Sequence, residues 1–306
     1  MNPILSITNL TKSFGEKKVL DGLSMEIPKG CIYGFIGKNG AGKTTTMKLI
    51  LGLLKADAGE IRVCNEIVRF GRNDVNRHIG YLPDVPSFYN YMTALEYLQL
   101  CAELLNIEKT RIKKRVEELL EAVGLKADKK RIGGFSRGMK QRLGIAQALI
   151  GQPDLLICDE PTSALDPIGR RDILNILSSI SSKTTVIFST HVLSDVEEIC
   201  DRVGILSGGR VVLHGQLSEL KASYSGDKIV IELMNQEDCS KMLKILQDSG
   251  EGSRLCQEGN SITYKIRNRE SDAKKLLYMM AEESITPLKF SFEETSLEDI
   301  FVEVTK

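Results

Sequence analysis

The chain has 306 residues, a length that accommodates about two domains of ordinary size. Its 41 basic and 41 acidic residues give a formal net charge of zero. This balance argues against a protein that coats nucleic acid or anionic lipid through its overall charge, but it does not exclude a single local basic pocket. We find no run of about 20 apolar residues and no signal peptide, and the seven cysteines include no CxxC pair. We therefore expect a soluble protein of the reducing cytosol.

The first two thirds of the chain alternate apolar runs with helical patterns. Residues 4–7 and 18–27 are predicted strands joined by a turn at Gly15 and Glu16, and they form a small antiparallel layer. Three apolar runs, at 31–36, 155–158 and 185–188, lack polar alternation, which is typical of parallel strands buried on both faces. The pattern predicts an α/β fold built on a parallel sheet.

Residues 37–44 (GKNGAGKT) match the phosphate-binding motif GxxxxGK[ST] between a predicted buried strand and a predicted helix. The glycines let the backbone wrap around phosphates, and the helix N-terminus adds its positive end. Lys43 is predicted to act in catalysis by reaching the β- and γ-phosphates, and the Thr44 hydroxyl is predicted to ligate Mg²⁺. The predicted nucleotide-binding residues of this segment are Gly37, Asn39, Gly40, Ala41, Gly42, Lys43, Thr44 and Thr45. The alternative is a glycine-rich turn that merely caps a helix.

Residues 92–124 carry a helical pattern. Thr93 and Glu96 form a predicted capping box, and apolar residues follow at helical spacing. A second, highly charged helix is predicted at 110–123, where the charges most simply form a solvated face.

Two carboxylates, Asp159 and Glu160, directly follow the second apolar run, and His191 follows the third. In P-loop enzymes an acidic residue at such a strand end helps to hold Mg²⁺, which assigns Asp159 to the metal. Glu160 can then act as the general base for the attacking water. Because open α/β sheets bind ligands at the carboxyl ends of their strands, His191 is predicted to contact the γ-phosphate. The alternatives are a strand that runs into an acidic loop and a structural histidine.

A third region follows the loop at 223–227, and we place the domain boundary between residues 222 and 223. The region is predicted to form a small α+β domain of the split βαβ type, for which the simplest role is dimer stabilisation or partner docking. Its predicted elements are strands at 229–234, 254–257, 262–266 and 288–292, helices at 239–247 and 272–282, and a last helix, capped by Ser296 and Asp299, that ends at Val304.

Residues 134–142 (GFSRGMKQR) resemble the signature segment of ABC-type ATPases. The resemblance covers residues 1 to about 222 in the family's order, with an aromatic A-loop, P-loop, Q-loop region, signature, Walker B strand, D-loop at 163–166 and H-loop. The sequence is most similar to the ATPase subunits of bacterial drug- and bacitracin-type exporters. Residues 295–301 also resemble the C-terminal extension of these subunits. The implied fold is a P-loop NTPase with an antiparallel layer and a helical subdomain at about 85–150.

The resemblance implies a head-to-tail homodimer, or pseudo-dimer, with two ATP molecules bound between each P-loop and the opposing signature. Ser136 and the backbone N–H of Gly138, at a predicted helix start, would face the γ-phosphate on the other subunit. Phe14 resembles the aromatic residue that stacks on adenine. Asp84 stands where the family has the Q-loop glutamine, and an aspartate there can still ligate Mg²⁺. The implied cofactors are ATP and Mg²⁺.

Two segments depart from the family pattern, the signature and the Q-loop. The usual signature is LSGGQ, whereas residues 135–139 read FSRGM, so Arg137 adds bulk and charge and Met139 lacks the hydrogen bonds of glutamine. Asp84 adds negative charge beside the triphosphate. Because the P-loop and Walker B residues are intact, we expect activity to persist, and the departures bear on coupling to the membrane partner.

The resemblance implies the ATP-hydrolysing subunit of an ABC transporter, of the exporter type, that powers a separate integral membrane permease. It places the chain in the cytoplasm, peripheral on the inner face of the cell membrane, with no nucleic-acid partner. The alternative is a soluble ABC-type ATPase that acts in translation or DNA maintenance, against which the neutral net charge argues. Within the transporter family, the alternative to an exporter is an importer. Importer ATPases often carry a β-rich extension, whereas residues 223–306 are predicted to be mixed α/β.

Overall fold

The computed structural model describes residues 3–72, 74–224, 228–266, 268–293 and 296–305. The chain divides into two compact units, one that ends at Leu217 and one that extends from Ser218 to Val304. Part of the predicted loop at 223–227, namely residues 225–227, and Thr295 of the predicted C-terminal segment lie outside the described residues.

The first unit begins with an antiparallel sheet whose strand order is β2-β1-β4-β5. Strands β1 (Leu5–Phe14) and β2 (Lys17–Ile27) form a hairpin, and β4 (Ala58–Val63) pairs with the other side of β1 before the short β5 (Glu66–Ile67). The hairpin confirms the predicted antiparallel layer. Its buried side chains are apolar and follow the two-residue period of a half-buried sheet except where the pairing of the strands is irregular: Leu5, Ile7, Leu10, Leu20, Leu23, Met25 and Ile27.

A six-stranded sheet with the order β10-β9-β3-β8-β7-β6 forms the centre of this unit. Five of these strands are parallel, and β10 is an antiparallel edge strand. Every residue of β3, β7 and β8 is buried, which confirms the interpretation of the three apolar runs. The strands are β3 (Ile32–Gly37), β6 (Ile79–Leu82), β7 (Leu155–Asp159), β8 (Thr185–Thr190), β9 (Arg202–Ser207) and β10 (Arg210–Gln216).

Some helices of this unit begin at a residue whose side chain caps the first turn, as Thr93, Ser136 and Asp166 do. Thr93 Oγ1 accepts from the N–H of Glu96 at 3.3 Å, and Glu96 Oε2 accepts from the N–H of Thr93 at 2.8 Å, which confirms the capping box. Of the helices in the described ranges, none is long and apolar enough to cross a membrane. The helices are α1 (Lys43–Ile50), α2 (Ala94–Leu104), α3 (Lys109–Ala122), α4 (Arg137–Leu149), α5 (Pro167–Ile180), α6 (Leu193–Ile199) and, across the division between the units, α7 (Leu217–Ser223).

The second unit has an antiparallel sheet with the order β12-β13-β11-β14. Helices connect β11 to β12 and β13 to β14, so the unit has the predicted split βαβ arrangement. Its own apolar core includes Ile229, Ile231, Leu246, Tyr264 and Leu276. The elements are β11 (Lys228–Leu233), α8 (Gln236–Asp248), β12 (Leu255–Glu258), β13 (Ser261–Lys265), α9 (Arg269–Glu282), β14 (Pro287–Glu293) and α10 (Leu297–Val304).

Candidate functional site

The glycine-rich loop between β3 and α1 has a backbone that only glycine fits. Gly42 has a φ of +112°, and a Cβ atom there would lie 2.9 Å from Leu20 Cδ2. The N–H of Ala41 donates to the carbonyl of Lys38 at 3.0 Å, which closes the loop just before α1 begins. The N–H groups of a first helical turn have no partner inside the helix, and the helix dipole makes that end positive. This geometry suits a phosphate.

Three predicted catalytic side chains meet beside this loop. Lys43 Nζ lies 3.2 Å from Glu160 Oε1, and His191 Nδ1 lies 2.9 Å from Glu160 Oε2. Lys43 is only 6% exposed and also donates to the carbonyl of Gly37 at 2.7 Å, whereas the side chain of His191 is 48% exposed. A carboxylate therefore sits between a buried cation and a solvent-accessible imidazole at the carboxyl ends of β7 and β8. Such an arrangement can accept a proton from a water molecule.

The predicted metal ligands Asp159 and Thr44 supply hard oxygen donors, the kind that Mg²⁺ prefers. Asp159 is the last residue of β7 and 2% exposed, and Ser189 Oγ donates to its Oδ1 at 2.5 Å. Thr44 is exposed in the first turn of α1. A carboxylate this deeply buried needs charge compensation, which a divalent cation provides. The residues present therefore fit Mg²⁺.

Glu160 has an unusual backbone conformation that sequence patterns did not reveal. Its φ is +48°, in the left-handed region, which costs a residue with a Cβ on the order of 1–3 kcal/mol. The N–H of Glu160 donates to the carbonyl of Ser189 at 3.0 Å and to Ser189 Oγ at 3.2 Å. These bonds from β8 hold the carboxylate at the end of β7, because they fix the backbone that carries it.

A buried aspartate behind the site was also missed. Asp195 is 1% exposed, and its carboxylate accepts from Thr162 Oγ1 at 2.7 Å and from Arg170 Nε. Arg170 also donates to Ser194 Oγ at 2.7 Å. Asp195 thus connects the segment after Glu160, helix α5 and helix α6. The one signal in the sequence is an acidic residue four positions after His191, which no periodicity distinguishes.

The signature segment lies at the start of α4. Ser136 is the N-cap, and its Oγ accepts from the N–H of Met139 at 3.2 Å. Ser136 is exposed and Gly138 is partly exposed. A Cβ atom on Gly138 would meet only Leu165 Cδ2, at 3.9 Å, so the space in front of the helix start is open. The predicted contact of these two residues with a phosphate on another subunit stays a prediction.

The two departures from the family pattern lie in contact with each other. Arg137 Nη2 is 3.5 Å from Asp84 Oδ1, and both side chains are nearly half exposed. The buried Gln141, which the sequence analysis did not single out, donates from Nε2 to the backbone carbonyl of Asp84 at 3.0 Å. Asp84 is therefore held beside α4 by two residues of the signature helix. Its predicted role as a metal ligand stays a prediction.

The predicted adenine-stacking residue, Phe14, ends β1 at the surface. Its side chain is 49% exposed, and Lys12 Nζ lies 5.2 Å from the ring centroid. An exposed aromatic ring beside a cation can stack on a base. The contact with adenine stays a prediction.

The fold and the cluster at the strand ends define a P-loop ATPase, and comparison with known proteins gives its family. A family model described as ABC transporter matches residues 20–163, and one for the C-terminal domain of DrrA1-3-like ATP-binding proteins matches residues 215–305. Bacitracin transport ATP-binding protein BcrA of Bacillus licheniformis is 37% identical over 99% of this chain and 98% of its own. BcrA of Enterococcus faecalis is 40% identical over 72% of this chain and 71% of its own.

Solved structures agree with this assignment. The structure of cbiO1 from Clostridium perfringens, described as part of the ABC transporter complex cbiONQ, superposes with a TM-score of 0.67 at 27% identity, over 82% of this chain and 98% of that one. The chain belongs to the ATP-binding proteins of ABC transporters. It is the ATP-binding subunit of such a transporter, in a family that binds ATP and hydrolyses it to power transport. The prediction from the signature segment is confirmed, and the alternative in translation or DNA maintenance is not favoured.

Proposed function

We propose that two copies of this chain form a head-to-tail dimer that binds two ATP molecules with Mg²⁺ and drives export through a separate membrane permease. The observation that supports the dimer is the separation of the two halves of the ATP site. The P-loop follows β3, whereas the start of α4 contacts Asp84, just beyond β6. Three strand spacings separate β3 from β6, which at about 4.8 Å each amount to roughly 14 Å. A second copy would bring its own signature to this P-loop.

Each residue of the P-loop half has a distinct proposed task. Mg²⁺, bound by Thr44 and Asp159, would neutralise and orient the phosphate oxygens. Lys43 pairs with Glu160 in this structure and would turn toward the phosphates, since a triphosphate is the stronger anion. Glu160 would then take the proton of the attacking water. His191, which we propose contacts the γ-phosphate, would also hold this carboxylate through its ring nitrogen.

The direction of transport and the location are proposed from the relatives. Two of them are named bacitracin transport ATP-binding proteins, and the resemblance along this chain is to drug- and bacitracin-type exporters. We place the dimer at the inner face of the cell membrane, where a permease made of other chains would supply the transmembrane path. Efflux of a drug or peptide is the activity we propose for that complex.

A mixing experiment tests the composite site. Lys43→Ala removes the P-loop cation, and Gly138→Asp places a carboxylate where the partner's γ-phosphate would bind. The open space at Gly138 accepts a Cβ, and an acidic residue suits the first turn of a helix, so this variant should fold. Each variant alone should lack ATP hydrolysis. An equimolar mixture should recover about a quarter of normal activity, because half of random dimers are mixed and each has one intact site.

The matched control is Gly138→Ala, which adds a Cβ without charge and should retain most of the activity. Mixed dimers, verified with two affinity tags, that show no hydrolysis would contradict the composite site. Full activity of Gly138→Asp by itself would contradict the proposed role of the signature helix.

A further inference from the structure

A second cluster of ligand-type side chains lies at the opposite end of the parallel strands. One donor atom from each of Cys64, His78 and Asp154 lies within 4.8 Å of the other two, and all three residues are partly exposed. His78 directly precedes β6 and Asp154 directly precedes β7, whereas the ATP-site residues follow the other ends of the strands. The five residues of β7 span about 17 Å. The cluster is therefore separate from the ATP site.

The imidazole of His78 lies between two carboxylates. Its Nδ1 is 2.8 Å from Asp154 Oδ2, and its Nε2 accepts from Arg77 Nε at 3.1 Å and lies 3.5 Å from Glu66 Oε1. A histidine that binds a metal usually directs its other ring nitrogen to a carboxylate, which fixes the orientation of the ring. With Nδ1 on the metal side together with Asp154, Nε2 would carry the ring proton and turn from Arg77 to Glu66, which would then be that outer partner. Lys29 Nζ holds the other oxygen of Asp154, Oδ1, at 3.0 Å, and this orients the carboxylate.

Cys64 occupies a position that its own turn does not favour. Cys64 and Asn65 form the two-residue connection between β4 and β5, with φ values of +49° and +67°. Positive φ at both central residues is the property of a type I′ turn, where asparagine, aspartate and glycine are preferred. A cysteine gains nothing from this backbone, yet the turn brings its Sγ to His78 and Asp154.

We propose that Cys64, His78 and Asp154 bind one zinc ion, with water as the fourth ligand. Thiolate, imidazole and carboxylate are the donors of tetrahedral zinc sites, whereas Mg²⁺ and Ca²⁺ favour sites made of oxygen alone. At bond lengths of about 2.0 Å, two tetrahedral ligands are about 3.3 Å apart, so Nδ1 and Oδ2 need to separate by only about 0.5 Å. The ion would fasten the β4–β5 turn to the amino ends of β6 and β7.

Titration of the full chain with zinc chloride in the absence of ATP and Mg²⁺ tests the proposal. We expect one zinc ion per chain by calorimetry, and a thiolate-to-metal absorption band when cobalt replaces zinc. Cys64→Asn should remove both signals, and it should fold because asparagine suits the type I′ turn. His78→Gln should weaken binding at least about tenfold. Cys256→Ser, which alters an exposed cysteine in the second unit, is the matched control and should behave like the unaltered chain.

Thermal unfolding gives an independent measurement. Zinc should raise the midpoint of the unaltered chain and of Cys256→Ser, and leave that of Cys64→Asn unchanged, because a ligand that binds only the folded state stabilises it. Absence of stoichiometric binding would overturn the proposal. Equal binding by Cys64→Asn would place the metal elsewhere and overturn it as well.

Discussion

The two halves of the proposed ATP site are built in different ways. In the P-loop half, Lys43 and Asp159 are buried, and Glu160 is held in a strained conformation by hydrogen bonds from β8. In the signature half, the start of α4 is at the surface, and its ion pair with Asp84 is nearly half exposed. The backbone of the first half is held in place within the chain before any ligand binds. The second half is left open, as the proposed dimer requires of a surface that would complete its site on another copy.

The largest expected effect follows from removal of the P-loop cation. Lys43→Ala should weaken ATP binding at least about 100-fold, because charge-assisted bonds to phosphate are lost from a buried site. Equilibrium binding of a fluorescent ATP analogue measures this change. Lys48→Ala, on the exposed side of the same helix, should bind normally. Unchanged affinity in Lys43→Ala would refute the phosphate-binding assignment.

The second-largest effect is expected from loss of the proposed general base. Glu160→Gln should bind ATP but lose turnover by a factor of about 10²–10⁴, and closed dimers should accumulate with ATP. Single-turnover hydrolysis and light scattering measure the two effects. Glu16→Gln, in the exposed β1–β2 turn, serves as control. Hydrolysis near the normal rate would assign the base to another residue, with Asp84 the first to examine.

A smaller effect, on stability, is expected behind the P-loop half. Asp195→Ala should lower the free energy of unfolding by about 3 kcal/mol, because it leaves Arg170 and Thr162 without their buried acceptor. Urea denaturation measures this loss. In the control Asp172→Ala, the change should stay under about 1 kcal/mol, since its pair with Arg142 is long, at 3.8 Å, and partly exposed. Equal losses of unfolding free energy for both variants would argue against the role of Asp195 as a stabilising buried acceptor.

The smallest effect is expected in the signature half. In a double-mutant cycle of Asp84→Asn and Arg137→Gln, the coupling free energy should be no more than about 1 kcal/mol and should fall with added salt, because the pair is exposed. Denaturation at low and high ionic strength measures it. A coupling well above this value, or one insensitive to salt, would show that the signature half is as rigid as the P-loop half.

The sequence predicted what depends on local pattern. The continuous apolar runs marked β3, β7 and β8, and the motifs placed Lys43 and Glu160 at strand ends, where the structure brings them within 3.2 Å. The left-handed backbone of Glu160 was not predictable, because hydrogen bonds from a distant strand impose it. The pairing of Asp84 with Arg137 was missed for the same reason, since 53 positions separate the two residues and only the packing of α4 brings them together.

The order of the central strands has a consequence for synthesis of the chain. Strand β3 is flanked by β8 and β9, and Ile32 pairs with Val186, which is 154 positions later. At about 5–20 residues per second, a ribosome needs roughly 8–30 s to make the intervening segment. During this time β3, which is fully buried in the folded protein, has not yet paired with its neighbouring strands. An unpaired apolar strand is prone to aggregate. The nascent P-loop segment should therefore depend on chaperones until the last third of the chain emerges.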